Sequence, residues 1–329
     1  MVICRTPFRI SFFGGGTDYP IWYREHGGAV ISVTINKYSY LTARWLPPYF
    51  DYKYRIRYFQ QEQTQTVDDI KHPSVRECVR YLNIQNGLDI VHNADVPARS
   101  GLGSSSTFTV GMLHVLHTLQ SSMPTKRQLA LEAIHVEQQL IGEAVGSQDQ
   151  TAAAFGGLNL IRFNGFSEID VEQLVIPRDR IVQLQDSLLL VFTGFSRNAS
   201  ELAKEQISTT EKKSIELKIM KDLCDQALHE LVDSNGSLDE FGRLLNEQWK
   251  IKRTLTNLIT NPMIDNIYEH GIKNGALGGK LLGAGGGGFM LFYVPSALKT
   301  ALSDSLSGKM VVPFRFESTG SKIIYYSHD

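Results

Sequence analysis

The sequence predicts a mixed fold of helices and strands, arranged as two domains of ordinary size. The chain has 329 residues, of which 42% are hydrophobic, so each half can bury a substantial core. Runs rich in Val, Ile, Thr and Tyr recur in both halves, with helical patterns between them. This recurrence of strands and helices is typical of the α/β or α+β class.

The first half is predicted to be rich in strands. Alternating or β-branched runs predict strands at residues 2–13, 29–45, 54–59, 88–92 and 158–163. Helical periodicity predicts one helix that ends at residue 119 and another over 126–144. We expect the polar segment 164–186 to be irregular, and we place the domain boundary between residues 183 and 184.

The second half is predicted to begin with a buried strand at residues 187–193. Long helical patterns follow at 200–232 and 238–258. A strand at 289–294, a short helix and a terminal strand at 322–327 complete this half.

Charge and apolar patterning exclude two classes of partner. Lys and Arg number 33 against 34 Asp and Glu, a net charge of −1 that gives no general field for nucleic acid or anionic membranes. The longest apolar run, Leu188–Phe192, is far shorter than the ~20 residues of a membrane span, and two early arginines interrupt any secretory signal. Cys4, Cys78 and Cys224 form no CxxC pair or disulfide framework. We therefore expect a cytoplasmic protein without a membrane or nucleic-acid partner.

A segment rich in glycine and serine, residues 97–106, leads directly into the first predicted helix. It reads Pro-Ala-Arg-Ser-Gly-Leu-Gly-Ser-Ser-Ser. Glycines let the backbone approach a ligand closely, and the amides at a helix N-terminus attract phosphate. Serine hydroxyls in the first turn could reach phosphate oxygens or a metal ion. A simple serine N-cap, which needs only one of the three serines, is the structural alternative.

Two better-known nucleotide-binding motifs are excluded. A Rossmann fingerprint would need a glycine where Ser106 stands. A Walker A motif would need a glycine at Asn274 and Ser or Thr in place of Leu281. The glycines of 283–288 match the loop of protein kinases, but the VAIK, HRD and DFG segments are missing.

A cation and a carboxylate flank the glycine run at residues 14–16. In the preceding strand, apolar residues from Phe8 to Phe12 share one face, so Arg9 lies on the other face and could point into a cleft. Asp18, beyond the glycines, could accept hydrogen bonds from substrate hydroxyls. A surface arginine and an aspartate in an Asx-turn are the alternatives.

Two further carboxylates stand where a charge needs an explanation. Glu137 falls inside the apolar stripe of the helix predicted over 126–144, where a carboxylate is costly unless it is paired or binds metal. Asp149 opens a short helical run, and an aspartate in a first helical turn is a common structural feature.

Arg197 lies in a loop between the predicted strand at 187–193 and a predicted helix. A guanidinium beside helix N-terminal amides is a common arrangement for binding an anion. An ordinary exposed loop arginine is the alternative.

Three ordered motifs make the chain resemble the GHMP kinases, the family of galacto-, homoserine, mevalonate and phosphomevalonate kinases. They are residues 5–20, reading RTPFRISFFGGGTDYP, the segment 97–106, and residues 280–289, reading KLLGAGGGGF. The resemblance covers nearly the whole chain. Together with residues 146–150, these motifs are most similar to those of the bacterial kinases of D-glycero-D-manno-heptose 7-phosphate.

The resemblance implies a fold of two domains. Residues 1–183 would form a domain similar to ribosomal protein S5 domain 2, and residues 184–329 a ferredoxin-like domain. The active site would lie in the groove between them, closed by the glycines of 283–288.

The resemblance also implies catalytic and nucleotide-binding roles. Asp149 would be the catalytic aspartate, and Arg9 stands where galactokinases carry an arginine that polarises the accepting hydroxyl. Ser105 and Glu137 would hold Mg²⁺. The ATP molecule would lie against Pro97, Ser100, Gly101, Leu102, Gly103, Ser104, Ser105 and Ser106.

The implied sugar site includes Asp18, which matches the sugar-binding aspartate of galactokinases. Two glycines replace the Glu-His of the galactokinase motif, which argues against galactose itself. The implied substrate-binding residues are Gly14, Gly15, Gly16, Thr17, Asp18, Arg197, Gly285 and Gly286.

Three functions are consistent with these residues. The first is ATP-dependent phosphorylation of the anomeric hydroxyl of a heptose 7-phosphate, giving the 1,7-bisphosphate. The second is a GHMP kinase for an unphosphorylated hexose of the fucose or galactose type. The third is a non-catalytic sugar- or nucleotide-binding regulator, against which the presence of Arg9, Glu137 and Asp149 argues. The partner would be a small sugar phosphate, and the chain a monomer or homodimer.

Overall fold

The structure, a computed structural model, describes residues 1–165, 168–194, 199–233 and 236–327. Its strands are β1 Val2–Phe13, β2 Gly28–Trp45, β3 Tyr54–Arg57, β4 Gln61–Thr64, β5 Leu88–Ala94, β6 Leu158–Phe163, β7 Ile169–Gln173, β8 Leu188–Phe192, β9 Gly278–Leu281, β10 Phe289–Tyr293, β11 Met310–Val311, β12 Phe316–Glu317 and β13 Lys322–Tyr326. Its α-helices are α1 Pro20–His26, α2 Pro73–Tyr81, α3 Ser104–Leu119, α4 Lys126–His135, α5 Gln148–Phe155, α6 Arg178–Asp186, α7 Ala199–Thr209, α8 Ser214–Val232, α9 Asp239–Lys252, α10 Pro262–Lys273 and α11 Ser296–Ser305. This content confirms the predicted mixed class of helices and strands.

The larger sheet is built mainly by the first half of the chain and has nine strands among the described residues. Its main path runs β13-β1-β2-β5-β3-β4, while β6 and β12 also pair with β2 and β7 pairs with β6. β3 and β5 run parallel, whereas β1 and β2 are antiparallel. Val2 and Cys4 of β1 share a core with Val110 and Leu113 of α3, because alternate strand residues face the same helix. This packing places the start of α3 beside β1.

The smaller sheet has the strand order β11-β8-β10-β9, and its described strands pair in antiparallel fashion. Helices α7 to α10 connect β8 to β9, and α11 connects β10 to β11. Counted along the chain, its strands therefore lie in the order fourth, first, third, second. This is the ferredoxin-like arrangement, as predicted for the second half.

Aromatic side chains of β1 join the two halves of the molecule. The rings of Phe12 and Phe13 meet the ring of Phe241 on α9 edge to face, at centroid distances of 5.4 and 5.1 Å. These rings belong to one buried core with Leu190 of β8. The shared core fixes β1, and therefore Arg9, relative to the smaller sheet.

The last two strands return to the larger sheet, although they follow the predicted boundary between residues 183 and 184. β12 pairs with β2, and β13 pairs with β1. Beyond β13, the amino group of Met1 donates to the carbonyl of Ser327 at 3.1 Å. The boundary itself stays a prediction, but both ends of the chain contribute to the sheet of the first half.

The expectation that residues 164–186 are irregular was wrong. β7 pairs with β6, and α6 buries Leu184 and Arg180. The Arg180 guanidinium donates to the carbonyls of Leu231 and Gly236, both at 2.9 Å. These stabilising contacts come from distant parts of the chain, so local composition does not reveal them.

Two predicted helices are interrupted. The helix predicted over 126–144 changes to a π-helix at Val136–Ile141 and ends at Gly142, whose φ is +75°. The helix predicted over 200–232 is divided into α7 and α8 by a turn around Thr210. None of the described helices is both long and apolar enough to cross a membrane.

Candidate active site

Three glycine-rich loops meet at a cleft of about 480 Å³ between the two sheets. The first follows β1, the second precedes α3, and the third connects β9 to β10. Residues of all three loops line the cleft, including Gly16, Gly103 and Gly283. The structure therefore brings together the three segments that the sequence singled out.

The second and third loops touch backbone to backbone. A Cβ atom added at Gly283 would lie 2.6 Å from the Cα of Gly101, and one at Gly288 would collide with the carbonyl of Ser100. Glycine is therefore required at this crossing. Gly285 and Gly286 do not line the cleft. Gly285 packs on Ile259, and the amide of Gly286 donates to the carbonyl of Ile259 at 2.9 Å.

The second loop ends in a helix N-terminus that has no side-chain cap. Gly101 and Gly103 adopt φ values of +82° and +79°, and Gly103 is the N-cap of α3 without a capping hydrogen bond. The amide of Thr107 makes the first helical bond, to Gly103, so the amides of 104–106 precede it. The first turn holds no acidic residue. This geometry fits an anionic ligand.

Not every predicted nucleotide residue lines the cleft. Pro97 is exposed outside it, whereas Ser100 and Leu102 are fully buried behind the loop. The predicted nucleotide residues that do line it are Gly101, Gly103, Ser104, Ser105 and Ser106.

Arg9 and Asp149, which both line the cleft, form a bidentate ion pair. Arg9 Nε donates to Asp149 Oδ1 at 2.8 Å, and Nη2 donates to Oδ2 at 2.7 Å. The third guanidinium nitrogen, Nη1, donates to the carbonyl of Gly101 at 2.7 Å. Arg9 is 2% exposed, whereas the Asp149 side chain is 24% exposed. The carboxylate thus has a fixed orientation and remains accessible from the cleft.

Asp18 is buried at the wall of the same cleft. Its two carboxylate oxygens accept hydrogen bonds from the amides of Gly16 at 2.9 Å and Gln148 at 3.3 Å. Burial raises the pKa of this carboxyl. A side chain at Gly146 would overlap Asp18, so the glycine provides the space that Asp18 occupies.

The other residues of the first loop divide into two groups. Gly15 and Gly16 line the cleft. Gly14 and Thr17 do not, because the Thr17 hydroxyl donates to the carbonyls of Gly14 and Ala29 at 2.8 and 3.0 Å inside the loop. These two residues hold the loop in shape.

Glu137 is fully buried in the π-helical segment behind the cleft. Its carboxylate accepts hydrogen bonds from the hydroxyls of Ser106 and Thr109, both at 2.7 Å, and from the amide of Gln150. The neighbour on this carboxylate is therefore Ser106 and not the predicted Ser105, which is exposed. Burial raises the pKa of Glu137 to about 7. No cluster of three or more metal-binding side chains occurs in the described ranges.

Two lysines of the site were missed by the sequence reasoning. Lys252, the last residue of α9, donates to the carbonyl of Gly283, and Lys280 of β9 is buried beside it. A signal for Lys252 existed, because it continues the buried stripe formed by Phe241, Leu245 and Trp249 at helical spacing. A charged residue in such a stripe needs the same explanation as Glu137.

One end of the cleft is lined by aromatic and imidazole rings. The His72 ring stacks on Phe108 at a centroid distance of 4.5 Å, and His92 meets the same ring edge-on at 4.9 Å. Tyr58 meets His72 edge-on at 5.0 Å. Burial lowers the pKa of both histidines to about 4, so both are neutral near pH 7. The sequence offered no periodic signal for this wall.

Arg197, the predicted phosphate-binding arginine, lies outside the described residues. Its proposed contact with a substrate phosphate therefore stays a prediction.

Two family models match this chain. Residues 73–157 match the GHMP kinases N terminal domain, and residues 223–306 match the GHMP kinases C terminal model. Together these ranges cover about half of the chain, including the second and third loops, Asp149 and Lys252.

Curated relatives match over almost their full length. The D-glycero-alpha-D-manno-heptose 7-phosphate kinase of Campylobacter jejuni is 28% identical over 339 residues, covering 97% of each chain. The galactokinase of Pyrococcus furiosus is 24% identical, and the match covers 96% of each chain. Among solved structures, a D-glycero-D-manno-heptose 1-phosphate kinase from Bacteroides thetaiotaomicron superposes with a TM-score of 0.79 at 24% identity, covering 99% of this chain and 100% of that one. At that identity the likeness shows the fold.

Proposed function

Because the chain belongs to the GHMP kinase family and is a sugar kinase, we propose that it phosphorylates the anomeric hydroxyl of D-glycero-D-manno-heptose 7-phosphate with ATP and Mg²⁺. The product would be the 1,7-bisphosphate. The observation that carries the proposal is the Arg9–Asp149 pair, held beside the open N-terminus of α3. A carboxylate for the hydroxyl and a cradle for phosphate thus face one cleft.

The second loop would hold the phosphates of ATP. The amides of 104–106 and the left-handed glycines Gly101 and Gly103 supply donors without side-chain obstruction. The rings of His72 and Phe108 at the other end of the cleft would enclose the base, because flat neutral rings pack well on a purine.

Glu137 would hold Mg²⁺ together with the nucleotide and Ser105, which lines the cleft directly before Ser106, the serine bonded to Glu137. Magnesium in such sites uses one or two protein carboxylates plus phosphate oxygens and water. Glu137 fits this need, since its buried carboxylate forms no ion pair with any cation among the described residues. Bound Mg²⁺ would neutralise charge on the phosphates. Thr109 and Ser106 would keep the Glu137 carboxylate oriented.

Asp149 would act on the sugar hydroxyl. Phosphoryl transfer needs positioning and charge neutralisation more than covalent chemistry. Arg9 holds both oxygens of Asp149, so the carboxylate would accept the hydroxyl hydrogen bond in one orientation. Asp149 would take the proton during attack or receive it after a loose transition state. General-base help of the first kind is worth roughly 10²–10⁴-fold.

Sugar recognition would involve Asp18 and the backbone of Gly15 and Gly16, which line the same cleft. The heptose 7-phosphate is proposed on the name of the Campylobacter jejuni relative, which this chain matches over 97% of its length. An unphosphorylated hexose is the second candidate, since a galactokinase matches over 96% of this chain. A non-catalytic regulator is not favoured, because Arg9 and Asp149 are both present and paired.

A kinase assay against a panel of sugars tests the proposal. The panel contains D-glycero-D-manno-heptose 7-phosphate, other sugar phosphates, fucose and galactose, and phosphorus NMR identifies a new anomeric phosphate. We expect kcat/KM to be highest for the heptose 7-phosphate. A clear preference for a free hexose would replace this substrate with the second candidate.

A further inference from the structure

Lys252 is a buried cation that the proposed mechanism does not yet use. Lys252 is only 5% exposed, yet it lines the cleft at the end of α9. Its Nζ donates to the carbonyl of Gly283, and no carboxylate lies within salt-bridge distance of it among the residues that the structure describes. A carbonyl partner does not neutralise a buried ammonium group. An anion bound beside Lys252 would therefore stabilise its charged form.

Two cations and two carboxylates surround this lysine. The charged groups that face it are Arg9 on β1, Lys280 on β9, Asp18 in the first loop and Asp149 on α5. Arg9 is already paired with Asp149, and the oxygens of Asp18 accept backbone amides. Both neighbouring carboxylates therefore have other hydrogen-bond donors, and neither forms a direct ion pair with the Lys252 ammonium group.

The two buried lysines differ in their ability to remain charged. Lys280 Nζ donates to the carbonyls of Ser11 and Phe12 at 2.9 and 2.8 Å, which a neutral amine can also do. Burial, with Lys252 and Arg9 nearby, lowers the pKa of Lys280 well below its ordinary range. Burial lowers the pKa of Lys252 only to about 8, so this lysine is protonated at neutral pH.

The position of Lys252 matches the path of phosphoryl transfer. Its partner Gly283 packs directly on Gly101, at the start of the proposed phosphate loop. Gly101 in turn accepts a hydrogen bond from Arg9. Through Gly283 and Gly101, Lys252 therefore lies near both the proposed phosphate loop and the Arg9–Asp149 pair.

We propose that Lys252 is a further catalytic residue, whose ammonium group contacts the phosphoryl group as it passes from ATP to the sugar hydroxyl. In this step a bond forms between the hydroxyl oxygen and the γ-phosphorus, and the bond from that phosphorus to the β,γ-bridging oxygen breaks. ADP leaves with the electron pair, and the hydroxyl proton goes to Asp149 or to water. Lys252 stays protonated throughout. The proposal rests on the proposed function, from which it takes ATP as the donor.

Substitution of Lys252, with its neighbour Lys250 as control, tests the contact. Lys250 lies on the same helix but is exposed and paired with Glu247. We expect Lys252→Met to lower kcat by about 100-fold or more, and to raise the dissociation constant of ATP by about tenfold while that of ADP stays unchanged. Lys250→Met should change neither quantity.

The pH profile separates catalysis from a structural role. In the wild type, kcat/KM for ATP should fall above about pH 8, where free Lys252 loses its proton. Lys252→Arg should retain part of the activity and shift this alkaline limb upward, because a guanidinium does not titrate there. A lysine that only holds the third loop would change the melting temperature and leave the limb in place.

Retention of near-normal kcat and of the preference for ATP over ADP in folded Lys252→Met would overturn the proposal. The ATP and ADP binding comparison needs no sugar, so it gives a result even if the heptose substrate is wrong. If the wild type phosphorylates a hexose instead, the same variants are compared on that hexose. Should Lys252→Met not fold, Lys252→Arg and its pH profile decide.

Discussion

Arg9 and Asp149 lie 140 positions apart in the sequence, yet two hydrogen bonds join their side chains. Alternation along β1 was sufficient to predict that Arg9 turns away from the apolar face. The pairing itself could not be predicted from local pattern, because it depends on the second loop folding over β1. The Arg9 amide donates to Leu102 at 3.2 Å, which fixes that arrangement.

Asp149→Asn should lower turnover by at least about 100-fold, because asparagine can neither accept the hydroxyl proton nor pair as strongly with Arg9. The dissociation constant of ATP should stay within a few-fold of the wild type, since Asp149 is proposed to act on the sugar. Steady-state kinetics and calorimetric ATP binding measure the two quantities. Near-normal turnover would remove Asp149 from the mechanism.

Glu137 should make the stability of the metal-free protein depend on pH. Its folded-state pKa of about 7 exceeds the ordinary value of 4.5, so its contribution to stability is fully present below pH 4.5 and is lost as the pH rises through about 7. Glu137→Gln remains neutral. The difference in free energy of unfolding, variant minus wild type, should therefore increase by about 3 kcal/mol between acidic buffer and about pH 8. Denaturant unfolding with EDTA measures the difference, and a constant difference would contradict the assignment.

The same variant should behave differently when Mg²⁺ is present. Because Glu137→Gln lacks the carboxylate proposed for the metal, it should need at least about tenfold more Mg²⁺ for half-maximal rate. The control is the rate at saturating ATP in the wild type over the same Mg²⁺ range. An unchanged Mg²⁺ dependence would assign Glu137 to packing alone.

At the scale of loops and helices, close contact between the second and third loops depends on glycine. Gly283→Ala should lower activity by about tenfold or more and destabilise the protein, because its φ of +76° is unfavourable and the new Cβ would meet Gly101. Gly308→Ala is a matched control, since its φ is +78° but nothing lies within 4 Å of the added atom. Melting temperatures and kcat/KM distinguish strain from collision. Equal effects of the two substitutions would show that the loop contact is unimportant.

Elements were predictable where their own residues carry the pattern. β6 was predicted with its correct bounds, because four of its six residues are apolar within a short run. β7 and α6 were missed, since their stability comes from pairing with β6 and from Arg180 reaching across to Leu231. Lys252 carried a signal in the buried stripe of α9, but its place in the site could not be predicted, because the cleft that it lines is formed only when α9 packs beside the third loop.

At the scale of the whole molecule, the larger sheet depends on β12 and β13. A chain that ends at residue 315 leaves one edge of β1 unpaired. It also loses Ser321, whose hydroxyl oxygen lies 2.9 Å from the Thr6 hydroxyl oxygen and 2.9 Å from His114 Nδ1. We expect its melting temperature to fall by about 5 °C or more, given ~2–4 °C per kcal/mol in proteins of this size. A chain that lacks only residues 328–329 is the control, and equal melting temperatures would contradict the expectation.

The composition and the strand pattern predicted two units of mixed structure, and the ferredoxin-like strand order agrees with the predicted second half. The return of the last strands could not be predicted, because an edge strand can complete any sheet with a free edge. The cleft between the sheets depends in turn on Phe12 and Phe13 packing against Phe241, which is a contact between distant segments.

The pairing of β1 with β13 also determines when this protein can finish folding. The hydrogen bond next to it joins residues 326 positions apart, so the contact closes a loop that contains almost the entire sequence. During synthesis β1 must wait, with one edge open, until the ribosome has released β13. Contacts of such long range also slow folding. Because β1 is made first and β13 last, a nascent chain exposes this edge of β1 for longer than any other paired edge of this sheet. Chaperones that bind extended apolar segments should therefore engage this strand first.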